Sequence, residues 1–426
     1  MVSEPCVRHH TIIEGGLQHR RPLSSSRAAR QTEAGPKRGA LTLPHMNAVR
    51  GYVECITAGT MLRSAVHTIQ SVPIGRQSTM ADLPKSIGWI GLGLMGYPMA
   101  TNLVKKMDQN TQFYVYDVVQ ESVDKFVKEE GDGVHACQSS REVADKSDLI
   151  LSMVPEGSHV RSVYLDEANG VLTSSTLSDN KKILIDCSTI DTATSLAVGS
   201  ACTAHHPTTS FYDAPVSGGV KGAESATLTF MLGASSSSPH KPLLETLLYL
   251  MGGNVFFCGG PSLGLVAKLC NNYTSGMIAI AVSESLNIGI KSGMDPRVLA
   301  NIYHTSTAQN AICDDWNPAP GVYGDALSSR GYKGGFKVGL MRKDIGLAVD
   351  TAERVGARLA LGGAGLGVYE GATKDERCRD LDSRVVYRYL GGEEEWKSSG
   401  KFPEKVEMKR DETRRLMRKA RESEKK

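Results

Sequence analysis

The sequence predicts an α/β protein: a doubly wound parallel sheet, then one long connecting helix, then an all-helical C-terminal region. Three observations predict it. Near-continuous apolar segments alternate with helix-length segments from Ser86 onward, the pattern of parallel strands covered on both faces. A glycine-rich turn, Gly91-Leu-Gly-Leu-Met-Gly96, joins the first such strand to the first helix. From Ser262 to about Lys291 there is no proline, and apolar residues recur at helical spacing.

The elements follow in order. Ile87-Gly-Trp-Ile90 is a short apolar strand, and Pro98 to Lys106 reads as a helix. Gln112-Phe-Tyr-Val-Tyr116 is a second strand. Asp148 to Val154 and Lys182-Ile-Leu-Ile-Asp186 are further strands. Phe211-Tyr-Asp-Ala, Leu228-Thr-Phe-Met-Leu232 and Val255-Phe-Phe257 are expected to extend the same sheet. In the long helix Leu265, Leu269, Tyr273 and Met277 share one stripe. Gly293 stops that helix. Asp295-Pro296 opens the next, with Asp at the N-cap and Pro at the first helical position. No convincing strand pattern follows before Leu390. The expected organisation is an extension over residues 1–85, a sheet domain over 86–260, a helical domain over 261–395 and a charged tail over 396–426. From Glu393 onward the mixed charge and few apolar residues read as disorder, or at best a solvated helix.

Composition bounds the function. The chain has 426 residues, 40% apolar and 22% charged, enough for packed cores in two or three domains. Its 44 glycines exceed the usual share of about 7%, which fits tight turns and close backbone approaches to a ligand. The net charge of +3 conceals an asymmetry. The first 85 residues hold eleven Lys/Arg against five Asp/Glu, and residues 391–426 hold twelve against nine. The middle is left acidic, with 26 against 32. An acidic middle and only 6% aromatics disfavour a nucleic-acid-binding core. The nine cysteines include no C-x-x-C pair, so they read as reduced thiols, with neither a disulfide framework nor a zinc site. No apolar run is long enough to span a membrane; the most tempting, from Met277 to Val282, is broken by Ser283 and Glu284.

The N-terminal segment contains its own signal. Residues 61–80 start with Met61, carry Arg63, Arg76 and several hydroxyls, and have no acid before Asp82. That is the composition of a mitochondrial transit peptide. Residues 1–60 contain Glu4, Glu14, Glu33 and Glu54, which suit such a peptide poorly. The expectation is a start at Met61, a matrix location, and a mature chain beginning between about Arg76 and Ser86.

Four motifs carry the chemistry. In Gly91–Gly96, the first glycine makes the tight turn, Gly93 lets the backbone approach a pyrophosphate, and Gly96 lets helix and strand pack closely. The helix N-terminus then offers free N–H groups to the phosphates. Asp117 ends the second strand, 21 residues after Gly96, where a ribose-binding acid belongs. Its charge would repel a 2′-phosphate, and Val118 and Val119 follow in place of an arginine, so NAD is expected over NADP. The second motif is Asp213-Ala-Pro-Val-Ser217-Gly218-Gly219. It is either a plain glycine-rich turn or a nest of backbone N–H groups for a small carboxylate. The third places Lys268 and Asn272 at i and i+4 on one face of the long helix. Lys268 either snorkels or sits desolvated in a cleft, where it can exchange protons. The fourth is Gly335-Phe336-Lys-Val-Gly-Leu-Met-Arg-Lys343-Asp344, which contains either a surface ion pair or a buried one.

Taken together and in this order, over about residues 86–395, these motifs resemble the β-hydroxyacid dehydrogenases. The resemblance implies a Rossmann-type NAD-binding domain, a long connecting helix, and a helical domain that builds a homodimer or homotetramer. It implies a small-molecule hydroxy acid as substrate, NAD as cofactor and no metal, with no membrane or nucleic-acid partner. Residue by residue, it implies Lys268 as the catalytic lysine. It places Ser217, Gly218, Gly219 and Asn272 at the substrate. It places Gly91, Gly93, Met95, Gly96, Asp117, Val154, Pro155, Thr189, Phe336 and Lys343 at the cofactor, with Asp344 holding the Lys343 segment. Some positions depart from the family: His159 stands where an asparagine is expected, Arg342 replaces a small residue, and Gly362–Gly365 is glycine-rich where a smoother helix is usual.

Overall fold

The computed structural model describes residues 83–179 and 181–397. Segment 61–80, expected to be a transit peptide, Cys6 and Cys55, and the chain beyond residue 397 lie outside the described residues.

Six parallel strands form the main sheet: β1 (Ser86–Ile90), β2 (Gln112–Tyr116), β3 (Val134–Ala136), β4 (Leu149–Ser152), β5 (Ile183–Asp186) and β6 (Ser210–Asp213), in the order β3-β2-β1-β4-β5-β6. Between them run α1 (Gly96–Lys106), α2 (Gln120–Glu130), α3 (Ser140–Lys146), α4 (Gly157–Leu165), the single turn α5 (Thr176–Asp179) and α6 (Thr192–His205). Every residue of β4 and β5 is buried, which is why both read as unbroken apolar runs. Trp89, Phe126 and Phe230 lie in one buried cluster, and Tyr164, Leu184 and Val198 in another. The strand order reverses between β1 and β4. The loops leaving their C-terminal ends therefore diverge and open a crevice, the place where such sheets bind ligands.

The sheet ends earlier than the sequence suggests. Of the three later strands expected to extend it, only β6 does. β7 (Val216–Ser217), β8 (Leu228–Leu232) and β9 (Gly252–Phe257) form a separate three-stranded sheet, with β7 antiparallel and β9 parallel to β8. The reason lies at Ala214-Pro215. Proline donates no ladder hydrogen bond, so the chain leaves the main sheet there, and the Pro215 carbonyl accepts from Met231 N–H of β8 at 3.0 Å. β3, three residues long with a single buried position, carries no strand signal in the sequence. The short α7 (Gly219–Glu224) and α8 (Lys241–Tyr249) complete this part.

The long helix α9 runs from Leu263 to Lys291, 29 residues. Its first turn belongs to the sheet domain, since Leu265 joins the cluster of Val160, Leu184 and Cys202. Further along, Ala279 joins Met341, Ile345 and Tyr369, and Leu286 joins Cys313, Ala319 and Tyr387. One helix is thus shared by the core of the sheet domain and the two buried clusters of the helical domain. Its start is capped from outside: Asp213, the last residue of β6, accepts from Ser262 N–H at 2.7 Å and Leu265 N–H at 2.9 Å. Its end follows the expected stop, with Gly293 at φ +86° and Met294 N–H bonded back to the Gly289 carbonyl at 2.9 Å.

The remaining elements are helical: α10 (Pro296–Thr305, capped by Asp295), α11 (Ala311–Asp315), α12 (Val338–Val355), α13 (Gly362–Lys374) and α14 (Val386–Tyr389). Two glycines of α13 have a packing reason. A Cβ on Gly365 would meet the Met277 side chain on α9, and one on Gly371 would meet the Tyr389 hydroxyl. Order also extends past both expected limits. Leu83 is buried with Met107 and Phe113. At the other end, Tyr387 hydroxyl donates to the Glu393 carbonyl, and Arg388 holds Glu394 through two hydrogen bonds. Trp396 donates to the Pro320 carbonyl at 2.7 Å, under the Arg297 guanidinium. The expectation of disorder from Glu393 onward is therefore corrected as far as Trp396. Three aromatic and charged partners in the helical domain outweigh the polarity of that segment.

Candidate active site

The crevice begins with the glycine turn after β1. Gly91 sits at φ +98°, and a Cβ there would strike the Met153 carbonyl. A Cβ on Gly96 would strike the Gly91 carbonyl, which Trp89 Nε1 also holds at 2.8 Å. Gly93 differs: a Cβ there meets nothing within 4 Å. Gly91 and Gly96 are therefore glycines because protein crowds them, and Gly93 faces open space. α1 then begins at Gly96 with no side-chain cap and no acidic residue in its first turn; Tyr97 and Met99 N–H bond back to the Gly93 and Met95 carbonyls, so it is the positive end of the helix dipole that suits an anion. Leu94 and Val118 stand exposed beside it, and Met95 is half-buried. These features fit a dinucleotide: a pyrophosphate over Gly93, with apolar edges around it.

Asp117 has a structural duty as well. Its carboxylate accepts from Leu92 N–H at 2.6 Å and Val119 N–H at 2.8 Å. It thereby ties the glycine turn to the end of β2. A carboxylate has about four acceptor sites, so it retains capacity for ribose hydroxyls.

Two loops at the ends of β4 and β5 meet the helical domain. Val154 and Pro155 follow β4, and Ser188 and Thr189 follow β5. Lys343 Nζ, from α12, donates to the Thr189 carbonyl at 2.5 Å and to the Pro155 carbonyl at 3.3 Å. It also lies 3.2 Å from Asp344 Oδ1. Asp344 is buried, and its other oxygen accepts from Asn272 Nδ2 at 2.6 Å. The charged pair of this segment thus has a half-buried lysine and a buried aspartate, and is continuous with the long helix.

One turn before Asn272 on α9, Lys268 is 7% exposed. Among the described residues no hydrogen bond occupies its Nζ. Burial pushes its ammonium down to about 8. The Asp344 carboxylate opposes that shift, and the Lys343 charge adds to it. An amine near this value can take and return a proton close to neutral pH.

The structure therefore brings Lys268, Asn272, Lys343, Asp344, Pro155 and Thr189 into one connected group. It does not join the turn Ser217–Gly219 to them by any hydrogen bond among the described residues. That turn leaves β7 with Gly218 at φ +139° and Gly219 at φ +64°, both exposed, so its backbone is presented to solvent or ligand. Phe336 is half-buried, and its N–H is held by the buried Asp382 carboxylate at 2.8 Å. Arg342 and His159, two of the family departures, are both exposed.

Sequence reasoning did not single out Asp186, Ser188 or Asp382, nor the capping role of Asp213. The signal was faint but present: Asp186 and Asp213 are acids ending otherwise apolar strands. Only the structure shows that their carboxylates face protein donors.

Comparisons with known proteins identify the family. The family model of the NAD-binding domain of 6-phosphogluconate dehydrogenase matches residues 86–260, and that of the NAD-binding domain of NADP-dependent 3-hydroxyisobutyrate dehydrogenase matches residues 263–390. A probable mitochondrial 3-hydroxyisobutyrate dehydrogenase of Dictyostelium discoideum is 42% identical over 307 residues, covering 72% of this chain and 91% of that relative. A Pseudomonas aeruginosa NAD-dependent L-serine dehydrogenase is 37% identical, covering 67% and 91%. A solved Mycobacterium tuberculosis 3-hydroxyisobutyrate dehydrogenase with L-serine superposes with a TM-score of 0.64 at 30% identity, covering 72% and 98%. Fold and site define an oxidoreductase that works with a nicotinamide cofactor. The chain belongs to the β-hydroxyacid dehydrogenase family, in the group of 3-hydroxyisobutyrate dehydrogenases.

Proposed function

We propose that the protein oxidises 3-hydroxyisobutyrate to methylmalonate semialdehyde, a step of valine degradation, in the mitochondrial matrix, with Lys268 as general base. The observation that carries this reading is the buried Lys268, its ammonium pushed down to about 8, one turn from Asn272. The mitochondrial relatives from Dictyostelium discoideum and Mus musculus support the location.

The bound nicotinamide supplies the hydride acceptor. Lys268 Nζ takes the proton of the substrate hydroxyl, and must be neutral to do so. Burial brings that state within reach by pushing the ammonium down to about 8. The backbone N–H groups of Ser217, Gly218 and Gly219 and the Ser217 hydroxyl hold the substrate carboxylate. Asn272, fixed by Asp344, orients the hydroxyl. Gly91, Gly93 and Gly96 with the α1 N-terminus take the pyrophosphate, Asp117 takes the ribose and selects NAD over NADP, and Met95, Val154, Pro155, Thr189, Phe336 and Lys343 line the remainder. Residues 86–260 serve as the cofactor domain and 261–395 as the substrate and oligomer domain. The exposed Ile288, Met294 and Ile302 support burial of a helical-domain face in a homodimer or homotetramer.

A second reading, oxidation of L-serine, is favoured by the serine dehydrogenase relative. The test is NAD reduction followed at saturating cofactor with 3-hydroxyisobutyrate, L-serine and 3-hydroxypropionate. The reading expects the highest kcat/KM for 3-hydroxyisobutyrate. A clear preference for L-serine replaces it with the second.

A further inference from the structure

Asp186 is fully enclosed at the end of β5, yet it touches none of the groups assigned to the reaction. Its Oδ1 accepts from Ser152 Oγ at 2.8 Å, Ser188 Oγ at 2.6 Å and Ser188 N–H at 3.2 Å. Its Oδ2 is buried without a hydrogen-bond partner among the described residues. A buried carboxylate with one oxygen unpaired is costly, so it calls for an explanation beyond the packing of one strand.

The connections supply one. Ser152 ends β4 and Ser188 follows β5, so a single oxygen ties together the ends of two neighbouring strands. Ser188 Oγ, while donating to Asp186, accepts from Val154 N–H at 2.9 Å. Val154 precedes Pro155 and Ser188 precedes Thr189. Pro155 and Thr189 are the two residues whose carbonyls receive Lys343 Nζ. The spacing of those carbonyls is therefore set by the chain Asp186–Ser188–Val154. From the far side Tyr164 hydroxyl is 2.8 Å from Ser152 Oγ, which anchors the chain to α4. A charged acceptor strengthens and shortens each of these bonds, and a neutral residue at 186 would hold the loops less firmly.

We propose that Asp186 is a positioning residue that acts through Ser188 to hold loops 153–155 and 187–189 at the separation Lys343 bridges, so that cofactor affinity depends on it. The inference rests on the placement of Pro155, Thr189 and Lys343 at the cofactor.

The test measures NADH affinity of the full chain by fluorescence titration, together with melting temperature, for Ser188→Ala, Asp186→Asn and the double variant. Ser188→Ala removes one small hydroxyl and is expected to fold. Its NADH Kd should rise about tenfold, the size of one hydrogen bond to a charged group. Asp186→Asn keeps an oxygen at one position and should lose less. Because Asp186 acts through Ser188, the double variant should bind no worse than Ser188→Ala alone. Lys182→Met is the control: it removes another buried charge of the sheet domain, held by the Ala144 carbonyl and Thr176, and should leave NADH affinity unchanged. Ser188→Ala binding within twofold of the parent overturns the inference, as does full additivity in the double variant. A parent that binds no NADH at all sinks the underlying cofactor assignment, and this inference with it.

Discussion

Asn272 Nδ2 lies 2.6 Å from Asp344 Oδ2, and this one bond locks α9 to α12 a single turn beyond Lys268. Asp344 in turn stands beside Lys343, whose ammonium reaches across to the sheet domain. Lys268 and the bridging Lys343 thus lie on two helices that one carboxylate, Asp344, pins together through Asn272.

Lys268→Ala should lower kcat by about 10²–10⁴-fold, the usual weight of a general base, with NADH affinity nearly unchanged. Lys268→Arg should fail equally, because a guanidinium does not give up its proton at working pH. Turnover per folded molecule, with folding checked by circular dichroism, decides between this and a structural lysine.

The lowered Lys268 value has two pH signatures. Oxidation needs the neutral amine, so kcat/KM should rise with pH through about 8. Stability should rise too. Between about 8 and the ordinary lysine range near 10.4, the unfolded chain binds the proton that the folded chain has lost, and stability then increases with pH. Lys268→Met should flatten that rise in a series of thermal melts.

Asp117→Ser combined with Val118→Arg should move the NAD/NADP preference toward NADP. The same change removes the acceptor for Leu92 and Val119 N–H groups. A stability loss on the order of 1–2 kcal/mol should accompany it. An unchanged cofactor ratio alongside that loss would leave Asp117 with only its structural duty.

The glycines of the turn should separate by mechanism. Gly96→Ala places a methyl against the Gly91 carbonyl, backbone that cannot swing away, and should cost about 1–3 kcal/mol. Gly93→Ala enters open space. It should leave the melting temperature unchanged and weaken NADH binding. Equal effects of the two on stability would contradict the assignment of Gly93 to the ligand side.

The buried acids predict the opposite pH trend to Lys268. Burial, with the neighbouring Asp213 charge, pushes the Asp186 carboxyl up to about 6. Between about 4 and 6 the folded chain then holds a proton that the unfolded chain has released, so stability falls as pH rises through that window. Asp186→Asn should flatten this decline in denaturant titrations at pH 4 to 6.

Much of the fold is legible from the sequence because its signals are local. Gly91–Gly96 announces its turn, the fully buried β4 and β5 read as apolar runs, and Asp295-Pro296 starts α10 as expected. What stays hidden depends on distant partners. Pro215 shows that a strand ends but not that a second sheet begins. Glu393 and Glu394 look solvated until Tyr387 and Arg388 are brought beside them. The connected group around Lys268 was legible as separate motifs, while Asp186 and Ser188, whose role exists only through Val154 and the Lys343 bridge, were not.

The shared helix has a consequence for dissection. At about 1.5 Å per residue, the 29 residues of α9 span roughly 43 Å, with Leu265 rooted in the core of the sheet domain and Leu286 in a buried cluster of the helical domain. Cutting the chain near residue 260, at the obvious sequence boundary, would leave a socket vacated by Leu265 in the first fragment, and an Asp213 carboxylate with no helix to cap. A recombinant first half should therefore keep its chain through at least the first turns of α9. Transplanting either half onto a foreign relative will succeed only if the joint lies inside the helix, where a continuous run of backbone bonds carries the register across.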